Sequence, residues 1–390
     1  MDSIDHNKRH RAWWAAARPI ARLLTSALFG FEGEECTLKG PLFVLCNHNC
    51  DLDPAFLVAS FREQGYFVTS EHVLRQGLLS RFIVFINDPI GRMKAGSAAG
   101  TVKDMLRRLK KGYSVCLFPE GNRSFDGVTR PFPPSTGKVA RVCGATLVTY
   151  RTEGSYLSNP RWGETLRRGR VRGRVAGIYP PEALRAMTDD EVNETIARDL
   201  YEDAFARQRA EMIEFRGRRL AEHLETLLFV CPECGAVHRM QSSGDEFFCL
   251  SCGYKLRYQP TGFFTGEGVV FDNVRDWNVW QNEKISAMCE SAGAGEIFSD
   301  SGMELCEVSS GRWMKKLSRG DMRLFRDRLE LPGGYALPIS EITGMSLRGQ
   351  KDLFIGAGDR HYLLRTPYVR CTVKYLTACA DLGCPVGYGV

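Results

Sequence analysis

The stretch CNHNCDLDPAFL, Cys46–Leu57, sets His48 five residues before Asp53. An apolar run, Leu42–Leu45, precedes it and another follows, so the pair straddles a strand-to-helix junction. An aspartate beside a histidine fixes the ring tautomer and stabilises the imidazolium. The other ring nitrogen is then a base able to take a proton from a hydroxyl. Asp53 followed by Pro54 also fits a helix N-cap with proline at the first helical position. That structural reading explains Asp53 and leaves His48 at a strand end without a role.

A second polar loop, LFPEGNRSFDG, Leu117–Gly127, also follows an apolar run. Pro119-Glu120-Gly121 turns the chain, Gly121 exposes a backbone N–H, and Arg123 and Ser124 offer donors suited to an anion. Two polar loops at strand ends point to one site, because open α/β sheets bind ligands beyond the carboxyl ends of their strands.

Together the two loops resemble the glycerolipid acyltransferase family, of the lysophosphatidic acid acyltransferase type. The family's first block, Asn-His-x-Ser-x-x-Asp, is matched by Asn47-His48-Asn49-Cys50-Asp51-Leu52-Asp53. Its third block, Phe-Pro-Glu-Gly-Thr-Arg-Ser, is matched by Phe118-Pro119-Glu120-Gly121-Asn122-Arg123-Ser124, in family order. The likeness spans roughly residues 20–215. Cys50 replaces the usual Ser and Asn122 the usual Thr. In the second block, Phe-Ile-x-Arg, an ungapped match puts Asp88 where Arg belongs, and Arg92 in PIGRMKAGS is the substitute. The fourth block, GATLVTYRTEG, keeps Gly154 and lacks the usual Pro.

The resemblance implies transfer of a fatty acyl group, in phospholipid biosynthesis, to the hydroxyl of lysophosphatidic acid or a related lysophospholipid. The donor would be acyl-coenzyme A or acyl-carrier protein. By the same resemblance His48 is the general base and Asp53 its orienter. Glu120, Gly121, Arg123, Ser124 and Arg92 bind the acceptor, with Arg123 on its phosphate. A glycerol 3-phosphate acceptor is the alternative within enzymes. A non-catalytic lipid-binding or zinc-ribbon adaptor is the alternative outside them. An adaptor has no need of His48, Asp53 and the PEGNRS loop in register.

CPECGAVHRMQSSGDEFFCLSCG sets Cys231 and Cys234, then Cys249 and Cys252, with fourteen residues between the pairs and a glycine after each. This is the spacing of a tetrahedral four-cysteine zinc ribbon, structural rather than catalytic because no open ligand position is evident. His238 is the candidate for a further ligand.

Alternating apolar runs and helical periods from about Cys36 to Tyr179 predict an α/β domain, its mostly parallel sheet flanked by helices, and the resemblance implies that this is the acyltransferase domain. PLFVLCNH, SRFIVFIN, SVCLFPEG, GATLVTYRTEG and GRVRGRVAGIY read as strands. DPAFLVASFRE and AAGTVKDMLRRLKKG read as helices, and residues 188–228 as one or two more, opened by a capping box at Thr188 and Glu191. The expected divisions are a basic amphipathic helix over 1–31, broken or kinked at Pro19, the acyltransferase domain over 32–228, the zinc ribbon over 229–260, and a β-rich, pleckstrin-like domain with a closing helix over 261–390.

The net charge of +6 is too small for a dedicated nucleic-acid binder, so no nucleic-acid partner is expected; it favours phosphate esters and anionic membrane surfaces. The arginines of RWGETLRRGRVRGRV (Arg161 to Arg174) could meet lipid headgroups or the phosphates of coenzyme A. No stretch is long and apolar enough to span a bilayer, and no secretory signal is evident. The expected location is cytoplasmic, peripheral at the inner face of the membrane, with the first helix in the lipid interface.

Overall fold

A computed structural model describes residues 3–70, 85–92, 99–308 and 314–385. Two compact units divide the chain near Arg216, and Arg161–Thr165 belong to the second of them.

The first unit opens with helix α1 (Ser3–Phe29). It runs through Pro19, contrary to the expected break. Pro19 lies on the exposed face, as does Ala15, whose carbonyl loses its intrahelical donor and can be hydrated instead. The buried stripe is His10, Trp14, Thr25 and Phe29. Strands β1 (Phe31–Gly33), β2 (Leu42–Cys46), β3 (Gly65–Ser70), β4 (Ile90–Arg92), β5 (Ser114–Leu117), β6 (Thr146–Glu153) and β7 (Val171–Tyr179) form one sheet in the order β1-β7-β6-β2-β5-β3-β4. Every neighbouring pair is parallel except β6 with β7.

All five residues of β2 are buried, as a central strand covered on both faces requires. Phe43 and Leu45 point into a core closed by helices α3 (Ala99–Lys110), α4 (Ser135–Val142), α6 (Pro181–Arg185) and α7 (Asp189–Leu200). Leu42, Val44 and Cys46 face the other layer, with Trp14 of α1 and Leu57 of α2 (Asp53–Ser60). Thr188 and Glu191 form the expected capping box. The helical expectation for 188–228 is met only as far as α7 and α8 (Ala204–Glu211); beyond them the chain is irregular apart from a single turn at Leu224–Thr226. The short helix α5 (Ser155–Ser158) follows β6.

The strand expected over SRFIVFIN is not formed in its described part. Residues 80–84 lie outside the described residues, and 85–87 make a helical turn. Short apolar runs do not distinguish strand from helix. The Asn87 side chain takes a sheet-like role instead, donating to Gly65 O at 2.9 Å and accepting from Phe67 N at 3.3 Å.

The second unit begins with an antiparallel sheet of β8 (Met240–Ser243), β9 (Glu246–Cys249), β10 (Lys255–Tyr258) and β11 (Phe264–Thr265). Helix α9 (Val274–Ser291) follows, capped by Asn273. Seven antiparallel strands come next: β12 (Phe298–Val308), β13 (Met314–Leu324), β14 (Arg328–Leu331), β15 (Tyr335–Pro338), β16 (Ile342–Arg348), β17 (Asp352–Ala357) and β18 (Arg360–Arg365). Their order is β15-β14-β13-β12-β18-β17-β16, and helix α10 (Val373–Asp381) ends the unit.

Candidate functional site

β2, β3, β4, β5 and β6 run in the same direction, so their carboxyl ends share one edge of the sheet. At that edge Asn47 extends the β2–β6 ladder with its side chain. Its Nδ2 donates to Thr152 O at 2.9 Å and its Oδ1 accepts from Thr152 N at 2.8 Å. The main chain is thereby free to turn outward at His48.

His48 Nδ1 lies 2.9 Å from Asp53 Oδ2. Asp53 is fully buried, and the same oxygen accepts the backbone N–H groups of Asn49 at 2.7 Å and Cys50 at 2.9 Å. A carboxylate held by three donors faces the ring, so Nδ1 carries the proton and Nε2 keeps its lone pair. Among the described residues Nε2 has no hydrogen-bond partner, and the side chain is 20% exposed. Phe118 stacks on the imidazole with centroids 4.6 Å apart. The N-cap reading of Asp53 is corrected. Leu52 is the N-cap, Asp53 is the first helical residue, and its side chain folds back onto the loop.

The Cys50 thiol donates to Asp53 Oδ1 at 3.3 Å. Burial and then the Asp53 charge hold that thiol well above its ordinary pKa, so it is a neutral donor standing in for a serine hydroxyl.

Glu120 and Ser124, expected to bind the acceptor, have their polar atoms engaged within the protein. Glu120 is fully buried, with one oxygen accepting His48 N and the other Arg130 N, each at 2.7 Å. Burial pushes its carboxyl up to about 8, against the pull of these two donors. Ser124 is also fully buried; its hydroxyl donates to Val128 O at 2.8 Å and accepts Gly127 N at 2.9 Å, while its own N–H donates to His48 O at 2.8 Å. Both residues clamp the two loops together. Glutamine at 120 keeps one carbonyl acceptor and sets an NH2 donor against the second of the two N–H groups. Glu120→Gln is therefore expected to cost about 1–3 kcal/mol of stability, read as a lowered thermal midpoint with reduced activity.

Gly121 adopts φ +69°, which lets the chain reverse after Glu120. Arg123 is held in the loop, its Nε 3.0 Å from Asp51 Oδ1 and its Nη1 donating to Asn159 Oδ1 at 3.4 Å. Asn159, just past α5, had no local sequence signal; only the return of the chain after β6 brings it here. Arg92 stands apart. It ends β4, three strands from β2, which strand spacing puts on the order of 14 Å away. Among the described residues its Nε is buried without a hydrogen-bond partner, and burial pulls its guanidinium down to about 10. Asp88, in the expected arginine's place, pairs with Arg108 at 2.9 Å.

The arginine run is not a free basic face. Arg170 pairs with Glu32, Arg172 with Glu211 and Arg174 with Glu153. Arg168 donates to Ala27 O at 2.9 Å, Arg167 is buried, and Arg161 donates to the carbonyls of Leu347 and Gly349.

In the second unit Cys231, Cys234, Cys249 and Cys252 bring their sulfurs within 4.8 Å of one another. Cys231 and Cys252 are 3.7 Å apart, and Cys234 and Cys249 3.8 Å. A tetrahedron of sulfurs at about 2.3 Å from a zinc ion has edges of about 3.8 Å, and these separations exceed a disulfide bond. The two knuckles are alike: Cys231 N donates to Ala236 O and Gly235 N to Cys231 O, as Cys249 N does to Tyr254 O and Gly253 N to Cys249 O. Gly235 and Gly253 have φ of +70° and +80°. His238 is not a fifth ligand, because its Nε2 lies 2.7 Å from Lys374 Nζ.

Residues 29–152 match the Acyltransferase family. The 1-acyl-sn-glycerol-3-phosphate acyltransferase of Borreliella burgdorferi is 25% identical over 134 residues, 32% of this chain and 52% of that protein, so the match spans about half the relative's length. The crystal structure of the 1-acyl-sn-glycerophosphate (LPA) acyltransferase PlsC from Thermotoga maritima superposes with a TM-score of 0.41 and 19% identity, covering 48% of this chain and 78% of that one.

Proposed function

We propose, from the membership of residues 29–152 in the Acyltransferase family, that the protein transfers a fatty acyl group from an acyl thioester to the hydroxyl of a lysophospholipid of the lysophosphatidic acid type. The carrying observation is the His48–Asp53 pair, with a fully buried carboxylate on Nδ1 and an unpartnered Nε2. An alcohol is a weak nucleophile at neutral pH, and His48 Nε2 removes its proton as the oxygen attacks the thioester carbonyl. Asp53 stabilises the imidazolium, which then returns the proton to the departing thiolate. No acyl-enzyme is needed, and the neutral Cys50 thiol is unsuited to forming one. Arg123 binds the acceptor phosphate, and the turn at Gly121 lines the same loop.

Among the described residues no helix is long and apolar enough to cross a membrane. Access to a lipid acceptor comes through α1, whose outer face exposes Trp13, Ile20, Leu23, Leu24 and Leu28, with Leu23 71% exposed. Such an exposed apolar stripe on a helix is suited to a lipid interface; the helix's Arg11 and Arg22 are exposed but pair with Glu63 and Glu35. The four cysteines hold a structural zinc ion. The seven-stranded domain is a further docking module, of pleckstrin-like type.

The test is acyl transfer by purified full-length protein, from acyl-coenzyme A and from acyl-carrier protein, to lysophosphatidic acid, other lysophospholipids and glycerol 3-phosphate. The expected product is phosphatidic acid from lysophosphatidic acid. Preference for glycerol 3-phosphate would move the acceptor assignment. No transfer to any acceptor by folded protein would replace the enzyme with a lipid-binding role.

A further inference from the structure

The Arg123 guanidinium is already engaged. Its Nε meets Asp51 Oδ1 at 3.0 Å and its Nη1 meets Asn159 Oδ1 at 3.4 Å. The same Asn159 oxygen accepts the Asp51 backbone N–H at 3.3 Å. The two acidic residues of the first loop are therefore unlike. Asp53 is fully buried and held by backbone donors, whereas the Asp51 side chain is 70% exposed and its carboxylate has only the guanidinium as an ion-pair partner among the described residues. The Arg123 side chain is only 10% exposed. A fixed cation thus meets an anion that can swing into water.

A carboxylate and a phosphate present an arginine with the same kind of paired oxygens. Both cannot occupy the Nε side of one guanidinium. We infer that Asp51 is the resident counter-ion of the acceptor's phosphate subsite, holding Arg123 in its binding orientation until the phosphate displaces it. The inference rests on Arg123 as the phosphate ligand of the proposed function. It makes Asp51 a specificity-determining residue: an anionic headgroup can replace the carboxylate on Arg123, and an uncharged one cannot. Displacement is eased on the Asp51 side, because a carboxylate 70% exposed regains water as it leaves the guanidinium.

The test is calorimetric binding of inorganic phosphate to the full-length protein and to Asp51→Asn, Asp51→Ser and Arg123→Gln, each checked for an unchanged thermal transition. Removing the competing carboxylate is expected to tighten phosphate binding about two- to five-fold, the range set by exposed ion pairs. Both Asp51 variants should agree, and the KM for lysophosphatidic acid should fall by the same factor while kcat carries none of the change. Unchanged or weaker phosphate binding in both Asp51 variants overturns the inference, since a carboxylate that only props the arginine would weaken binding when lost. Phosphate binding that is undetectable in the wild type and in both variants also overturns it. Persistence of wild-type binding in Arg123→Gln instead removes Arg123 from the phosphate subsite, and with it that part of the proposed function.

Discussion

His48→Ala is expected to lower acyl transfer by about 10²–10⁴-fold, the contribution of a positioned general base, with little change in thermal stability. The ring is partly exposed and lies over Phe118, so truncation opens no sealed cavity. The backbone N–H and carbonyl of His48, which hold Glu120 and Ser124, are retained by alanine. The loss should therefore fall on kcat, with the KM for the acceptor nearly unchanged, because the proposed phosphate ligand is Arg123 and not His48. Asp53→Asn provides the contrast. One Asp53 oxygen accepts three N–H groups and the other accepts the Cys50 thiol. An amide cannot serve both sets, so this variant should lose activity and stability together. Transfer undiminished in His48→Ala would exclude the base assignment.

Metal removal is the second large effect. Purified protein is expected to carry one zinc ion per chain, and chelation or Cys249→Ser should abolish ordered structure around residues 229–258. Apparent binding free energies of about 10–16 kcal/mol for structural zinc in small domains act as folding free energy. The segment's own apolar burial is limited to a few side chains, chiefly Phe229, Val230, Met240, Phe247, Tyr254, Leu256 and Tyr258. Disorder should spread first to α9. Gln281 accepts from Phe229 N and Val230 N and donates to Leu227 O, and Trp277 donates to Val230 O. The β12–β18 sheet has its own core, with Leu305, Leu324, Leu329, Leu347, Ile355 and Leu364 buried, and should keep its protection. Hydrogen exchange with and without chelator reads both regions. Protein that is metal-free, yet equally protected over 229–258, would rule out the zinc ribbon.

These expectations draw unequally on sequence and structure. The apolar runs leading to Cys46 and Leu117 and the paired cysteines were legible because each is a local pattern whose spacing carries its meaning. Local pattern failed where an apolar or charged run has several outlets. Phe85–Asn87 is helical rather than extended, and Arg168, Arg170, Arg172 and Arg174 are taken up by Ala27 O, Glu32, Glu211 and Glu153. A charge run on a strand states which cations are present, but their partners come from distant segments.

The linear chain carries the residue types of the site: an Asn-His turn, an aspartate five residues after the histidine, a Pro-Glu-Gly turn with an arginine, and four cysteines in two knuckles. What each of them touches is set by packing. β2 beside β5 places the two loops together, so Glu120 reaches the His48 backbone and clamps one loop to the other. The order β2-β5-β3-β4 carries Arg92 away from that centre. The return of the chain after β6 delivers Asn159 to Asp51 and Arg123. The physical reason is common to all three: a side chain's role depends on which donors and acceptors meet it across the sheet, and strand order is a property of the whole packed layer rather than of any short stretch.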